Sequence, residues 1–180
     1  DTEEQALPIL FEKYIGLSPV EIGVDFIGVG GYKSYLPFIR FAESLNIPWV
    51  ILSDADRDVP EWIDKHLRNS GTPKQKSDVV VMLDTGNDFE RQLINDGFVD
   101  EIRQAILSLD VYANEQHRQA REAQRLLEVN SYSNDNLYSI ITEEKTMYAP
   151  LVAESIAKSG KEISPKVVSL FDKVKVLLNL

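Results

Sequence analysis

The sequence contains no cysteine and only two histidines among its 180 residues. The lack of cysteine excludes disulfides and thiolate metal sites, and it fits a reducing compartment. No run approaches the roughly 18 consecutive apolar residues that a membrane span needs, and no signal-peptide pattern opens the chain. His66 and His117 lack the spacing of metal ligands. We therefore expect a cytoplasmic protein without a membrane partner, in which oxygen ligands hold any metal ion.

Basic residues are scarce relative to acidic ones. The chain has 19 Lys and Arg against 29 Asp and Glu, a formal net charge of −10. A protein that coats phosphates along its whole surface is usually basic, so the charge argues against that class. It is compatible with acids that hold divalent cations, because a bound cation inverts the local charge. Affinity for a polyanion would then depend on metals, local basic patches or another domain.

The order of apolar patterns predicts an α/β fold with a mostly parallel sheet flanked by helices. Predicted strands are residues 24–29, 49–52 and 78–83, and predicted helices in this part are 2–14, 33–45 and 60–68. The strand pattern ends at Phe98; the helices predicted after it are 100–128, 146–160 and 164–178, with a polar break at 130–136. We divide the chain into an α/β core, residues 1–97, and a helical C-terminal extension, residues 98–180, that packs on it.

Acidic residues follow the predicted strands where a parallel sheet binds ligands. Asp54 and Asp56 come directly after the strand 49–52, and Asp88 and Glu90 lie a few residues past the strand 78–83. Ligands of open α/β sheets bind beyond the carboxyl ends of the strands. Carboxylates that converge there can hold Mg²⁺, and a pair of such ions can hydrolyse a phosphodiester. Read alone, acids at these positions are also typical of helix caps and first turns.

Glycines and lysines offer weaker candidates for phosphate binding. Gly30 and Gly31 follow the first predicted strand, and they suit either a tight turn or a close backbone approach to phosphate. Lys33, just beyond them, is a phosphate contact or a solvated side chain. Lys158 and Lys161 lie around a predicted helix end, where cations are favourable without any catalytic role.

Taken together, these segments resemble the Toprim domain of the overcoming-lysogenization-defect (OLD) family over nearly the whole chain. Residues 1–7 (DTEEQAL) resemble the remainder of an E-G-x-T-E motif. Residues 27–34 resemble the second strand and the start of its helix, and residues 47–56 resemble the third strand with its D-x-D. Residues 86–90 (GNDFE) resemble the next acidic motif, and Gly160-Lys161 resembles the C-terminal lysine motif.

The resemblance implies a DNA endonuclease that uses two Mg²⁺ or Mn²⁺ ions, of a kind that serves in phage defence in some relatives. The implied metal ligands are Glu3, Asp54, Asp56 and Glu90, with Asp88 as a neighbour and Asp58 as an accessory. Glu3 would also be catalytic. Lys161 would steady the scissile phosphate, with Lys158 as the substitute. Lys33, Gly30 and Gly31 would contact DNA.

The resemblance also implies partners beyond this stretch of sequence. Relatives pair the domain with an N-terminal ABC-type ATPase, through which ATP would act, and with a dimerisation region that would make a homodimer. The first glutamate of the E-G-x-T-E motif would precede Asp1 by two positions. We therefore expect residues 1–180 alone to bind metal poorly and to cut little or nothing.

Three other functions remain open at this point. Another Toprim activity, that of a primase or topoisomerase, uses related acidic motifs. A receiver-like signalling domain also combines clustered acids, one Mg²⁺ and a lysine, but its lysine follows the last strand, whereas Lys161 lies in a helical region. A docking module that has lost the chemistry is the third.

Overall fold

A computed structural model describes residues 2–180 and shows a mostly helical chain around a small parallel sheet. The first part contains helices α1 (Thr2–Ile15), α2 (Tyr35–Ser44), α3 (Val59–Ser70), α4 (Lys76–Val79) and α5 (Phe89–Asn95), with strands β1 (Ile51–Ser53) and β2 (Val80–Met82). The second part contains α6 (Val99–Ser108), α7 (Glu115–Asn130), α8 (Asn134–Glu143), α9 (Lys145–Ser159) and α10 (Pro165–Leu178). Asp1 lies outside the described residues.

The two strands pair in parallel, as the apolar runs predicted. Ile51 lies opposite Val80 and Ser53 opposite Met82. The amide of Leu83 continues the ladder by donating to the Ser53 carbonyl, 2.9 Å away. Helices cover the sheet on both faces, which is why short runs without polar residues form strands here. Because β1 and β2 are parallel, they end at the same edge of the sheet, and the acids that follow them start from neighbouring positions.

The segment 24–29 is not assigned as a strand, contrary to the prediction. Its side chains alternate as in a strand, since Val24 and Phe26 are partly buried and pack against the main core while Asp25 and Ile27 are exposed. No ladder hydrogen bonds join this segment to another strand among residues 2–180. The burial of the side chains alternates as in a strand, but strand assignment also requires a backbone partner.

The helical extension differs from its prediction in two places. The helix predicted at 100–128 is two helices, α6 and α7, and Asn114 caps the second by accepting a hydrogen bond from the His117 amide at 2.9 Å. The polar break predicted at 130–136 contains the start of α8. Ser133 caps α8 through a reciprocal capping box with Asn136. The helices predicted at 146–160 and 164–178 are confirmed as α9 and α10.

Two apolar clusters hold the chain together. The larger joins α1, β2 and α5 with all the C-terminal helices, and α1 packs along α9. Phe11, Phe89 and Phe171 are almost completely buried in it. The smaller cluster lies between α2, α3 and the other side of the sheet. The larger core includes residues from both sides of residue 97, so the extension packs directly on the α/β part, while the division at that residue stays a prediction. No helix in the described part is long and apolar enough to cross a membrane.

Candidate active site

The loops that follow β1 and β2 are hydrogen-bonded to each other. The Ala55 amide donates to the Asn87 carbonyl at 3.4 Å, and the Gly86 amide donates to the Ala55 carbonyl at 3.2 Å. These bonds fix the loop that carries Asp54 and Asp56 against the loop that leads to Asp88. The two acidic motifs found in the sequence therefore meet at the carboxyl edge of the sheet.

Helix α5 positions the second motif. Asp88 is its N-cap, and Asp88 Oδ1 accepts a hydrogen bond from the Arg91 amide at 2.9 Å. Glu90, in the first turn, is only 3% exposed. The hydroxyl of Thr2 donates to Glu90 Oε1 at 2.6 Å. This bond ties the start of α1 to α5, and it brings Glu3 to the same group of acids.

Lys145 and Tyr138, which sequence reasoning missed, complete this group. Lys145 Nζ lies 3.1 Å from Glu90 Oε1 and 3.9 Å from Asp88 Oδ2. The hydroxyl of Tyr138 donates to Asp88 Oδ2 at 2.6 Å. Both come from the C-terminal helices, Tyr138 from α8 and Lys145 from the first residue of α9. We call Glu3, Asp54, Asp56, Asp88, Glu90 and Lys145 the acidic cluster.

Asp54 carries the strongest electrostatic signature of the cluster. Burial raises its pKa, and the negative charges of Asp88, Asp56 and Glu90 raise it further, to about 6. Its Oδ1 atom is buried and has no hydrogen-bond partner. A buried carboxylate oxygen without a partner is costly, and it is rare in a folded protein unless a ligand or an ion meets it.

Glu3 and Lys145 respond to the same local charge. Burial raises the pKa of Glu3, and the charges of Asp54 and Glu90 add to that rise. Burial alone would lower the pKa of Lys145, but the charge and hydrogen bond of Glu90 outweigh it, and the net shift is upward. The cluster therefore has an excess of negative charge that a single ammonium group only partly neutralises.

The donor set of the cluster fits a hard divalent cation, although the side chains do not form a ready chelate. Within residues 2–180 no group of three or more acidic or histidine side chains is positioned to hold a metal ion as it stands. Glu90 is engaged by Thr2 and Lys145, and Asp88 by Tyr138. The unpartnered Asp54 oxygen and the oxygen-only ligands are what Mg²⁺ or Mn²⁺ prefers. The cluster thus fits the ion in chemistry and charge.

The two C-terminal lysines proposed from the sequence lie in other ion pairs. Lys161 Nζ is 2.9 Å from a carboxylate oxygen of the buried Glu101 and 3.1 Å from the Gly97 carbonyl oxygen. Lys158 is exposed and pairs with Glu154 on its own helix at 2.8 Å. Neither is bonded to the acidic cluster. A catalytic role for Lys161 stays a prediction, and Lys145 is the lysine that contacts the acids.

The glycine turn before α2 is exposed. Gly30 and Gly31 have φ values of 73° and 105°, which favour glycine and explain the pair without a ligand. Lys33 is exposed beside them, with its ammonium 5.8 Å from the centre of the Tyr32 ring. Their contact with DNA stays a prediction.

A parallel sheet between helices, with acids after both strands at its carboxyl edge, defines an α/β domain with a candidate ligand site at that edge. Residues 1–56 match the family described as overcoming lysogenization defect protein-like, TOPRIM domain. No curated protein sequence is significantly similar to the chain.

The fold is that of solved C-terminal regions of OLD proteins. The region from Burkholderia pseudomallei OLD is 18% identical, with a TM-score of 0.66, and the match covers 99% of this chain and 94% of that one. The region from Xanthomonas campestris pv. campestris OLD is 19% identical, with a TM-score of 0.66, and the match covers 99% and 92%. The chain therefore begins with an OLD-like Toprim sequence and has the fold of an OLD C-terminal region throughout, which confirms the resemblance and the α/β fold class.

Proposed function

We propose that this chain is the metal-dependent nuclease part of a longer OLD-like protein and hydrolyses phosphodiesters in DNA. The observation that carries the proposal is the acidic cluster, in which Asp54 has a buried, unpartnered oxygen beside Lys145 and Glu90. The Toprim match supports it, since Toprim domains generally bind divalent metals. The same proposal includes a DNA substrate and a role in phage defence. It also includes an N-terminal ABC-type ATPase, through which ATP would act, and a homodimer.

Each group in the cluster has a role that its surroundings support. Glu3, Asp54, Asp56 and Glu90 would hold Mg²⁺ or Mn²⁺, up to two ions. The bound ion would act as a Lewis acid, which activates water and neutralises the charge on the leaving oxygen. Lys145 stays cationic, because its pKa is raised, and from its place beside Glu90 it would donate a hydrogen bond to the negative charge that develops on the phosphate.

Asp88 is the capping residue that aligns α5. It accepts from the Arg91 amide with one oxygen and from the Tyr138 hydroxyl with the other. Because both of its oxygens are already engaged, we infer that Asp88 positions Glu90 and adds negative charge. The direct ligands are then the acids with an oxygen that accepts no hydrogen bond, chiefly Asp54.

Cleavage of supercoiled plasmid in Mg²⁺, Mn²⁺ or EDTA tests the proposal. The protein should be assayed as residues 1–180 and in a version extended upstream of Asp1 that includes the first motif glutamate. We expect nicking and linearisation that require metal, at least in the extended version. A folded extended protein that binds Mn²⁺ but leaves the plasmid intact, with and without ATP, would count against nuclease activity. If the folded extended protein does not bind Mn²⁺, the assignment of the acidic cluster as a metal site is wrong.

Tyr138→Phe should weaken Mn²⁺ binding about tenfold, as expected for the loss of a hydrogen bond just outside the ligands. The hydroxyl holds Asp88 at 2.6 Å, and this bond is the main cause that raises the pKa of Tyr138 to about 12. Titration calorimetry with MnCl₂ measures the change. Tyr132→Phe is the matched control, because its hydroxyl also donates to a carboxylate, that of the exposed Glu128, at 2.7 Å. Equal losses in the two variants would contradict a specific role for Tyr138.

A further inference from the structure

Two partly exposed aromatic rings lie where α2 and α3 begin, Tyr32 just before α2 and Trp62 in the first turn of α3. The rings of Tyr32 and Trp62 have their centres 6.3 Å apart and are tilted by 56°. The ammonium of Lys33 lies 5.8 Å from the Tyr32 ring centre, and that of Lys65 lies 4.4 Å from the Trp62 ring centre. We call Tyr32, Lys33, Trp62 and Lys65 the aromatic patch.

The two lysines of the patch are free to meet an external anion. Both are exposed, and neither has an ion-pair partner within residues 2–180. Asp64, the acidic neighbour of Lys65 in the sequence, is itself paired with Lys76 at 2.9 Å. In a chain with a net charge of −10, these two cations without an ion-pair partner are the groups of the patch that can meet a phosphate.

The second tryptophan provides an internal comparison. Lys74 lies over Trp49 with its ammonium 5.3 Å from the ring centre, which is the same kind of contact. There, however, Glu43 holds both groups, since it forms an ion pair with Lys74 and accepts a hydrogen bond from the Trp49 indole at 2.9 Å. That pair is internally satisfied, whereas the pairs in the aromatic patch are not.

The patch is connected to the acidic cluster through short contacts. Trp62 lies in the first turn of α3, and its amide donates to the Asp58 carbonyl at 3.2 Å, directly after the loop that carries Asp54. His66, beneath the patch, has its ring centre 5.6 Å from that of Trp62 and 6.4 Å from that of Tyr35. The Tyr35 hydroxyl in turn donates to Ser53 Oγ at 2.9 Å, one residue before Asp54. The patch is therefore linked to the residue before Asp54 through the packed side chains of His66 and Tyr35.

We propose that the aromatic patch binds an unpaired nucleotide of single-stranded DNA, with the base stacked on Trp62 in the place of the Lys65 ammonium, the tilted Tyr32 ring against the edge of the base, and the flanking phosphates on Lys33 and Lys65. This inference rests on the proposed nuclease function and names the form of DNA that the site takes. Aromatic rings combined with unpaired cations are the elements by which proteins hold single strands without reading their sequence. Stacked base pairs of a duplex keep their faces covered, so a duplex would gain only the phosphate contacts.

The fluorescence of Trp62 tests the proposal without any cleavage. The chain has two tryptophans, so Trp49→Phe leaves Trp62 as the only one. This protein is titrated in EDTA with oligothymidylate of about 12 nucleotides, a length within the range that single-strand sites cover. We expect the oligonucleotide to quench the fluorescence. In the parent background, Trp62→Leu should weaken binding roughly tenfold, and Trp62→Phe, which keeps a ring, should weaken it less.

Matched lysine variants test the phosphate contacts. Lys33→Ala and Lys65→Ala should each reduce the slope of log affinity against log salt by about 0.7, the value for one phosphate contact on a single strand. Lys74→Ala should leave it unchanged, because Glu43 already holds that ammonium. Unquenched Trp62 fluorescence, parent-like affinity in Trp62→Leu, or equal quenching by a duplex of the same length would each overturn the proposal.

The proposed function and this inference can fail separately. Asp54→Asn should keep the quenching in EDTA, since no metal is needed to stack a base. If plasmid is never cut but Trp62-dependent binding of the oligonucleotide persists, the nuclease proposal fails and the single-strand surface stands. If metal-dependent cutting is present but Trp62→Leu binds and cuts single strands like the parent, this inference fails alone.

Discussion

Replacing Asp54 by asparagine should reduce metal-dependent cleavage by more than about a hundredfold, because even groups outside the metal ligands change activity by ten- to a hundredfold. Asparagine keeps the size of the side chain and removes the charge. The same substitution should make the metal-free protein more stable at pH 8. We expect this combination of lost activity and gained stability because Asp54 lies among other negative charges that only a bound cation would neutralise.

The stability change has a defined pH dependence. The pKa of Asp54 is raised from 3.8 to about 6 in the folded protein, by burial and by Asp88, Asp56 and Glu90. Protonated Asp54 therefore favours the folded state at low pH, and this contribution is lost as the pH rises through 6. Asp54→Asn should gain roughly 1–2 kcal/mol in EDTA at pH 8, after allowance for solvent screening, and nothing at pH 4.

Urea unfolding in EDTA at the two pH values, together with plasmid cleavage in Mn²⁺, measures both effects. Asp25→Asn is the matched control, because it removes the same charge from an exposed position outside the cluster. A variant of Asp54 that is less stable than the parent in EDTA at pH 8 would contradict the electrostatic account. Unchanged cleavage would remove Asp54 from the metal site.

Local sequence patterns predicted the elements whose signals are local. The apolar runs ending at Leu52 and Leu83 became the two paired strands, and the D-x-D after the first lies at the carboxyl edge as expected. The segment 24–29 shows the limit of such a pattern, because an apolar run forms a strand only with a backbone partner that is remote in sequence. Asparagine and serine are typical helix-capping residues. The capping residues Asn114 and Ser133 mark the starts of α7 and α8.

The candidate site divides in the same way. The acids follow strands, so the chain order alone indicated that Asp54 and Asp88 would approach each other. Lys145 had no comparable signal, because it lies 55 positions after Glu90 and reaches it only through the packing of α8 and α9 on the first part of the chain. The helix end predicted at Gly160 is confirmed, because Gly160 is the C-cap of α9 with a φ of 75°. The special role of Lys161 came from the family resemblance alone and stays a prediction.

Lys145→Met should lower the cleavage rate by about a hundred- to a thousandfold, the usual effect of losing one preorganised donor to developing negative charge. Its affinity for Mn²⁺ should not fall, because methionine removes a cation that competes for Glu90. Some loss of stability is expected in EDTA, since Glu90 is 3% exposed and loses its ion-pair partner, while its bond from Thr2 remains. Cleavage rates at saturating Mn²⁺ and calorimetric affinities separate the two effects.

The cleavage rates and stabilities of Lys161→Met and Lys158→Met should be compared with those of Lys145→Met, because the three lysines have different ion-pair partners. In the structure Lys161 forms an ion pair with the buried Glu101. The substitution of Lys161 should therefore cost roughly 1–3 kcal/mol of stability and leave the cleavage rate of the folded protein nearly unchanged. Lys158, exposed and paired within its own helix, should affect neither. Slow cleavage in Lys161→Met with normal cleavage in Lys145→Met would instead return the catalytic role to Lys161, as the family resemblance implies. It would also mean that the ion pair with Glu101 opens when DNA binds.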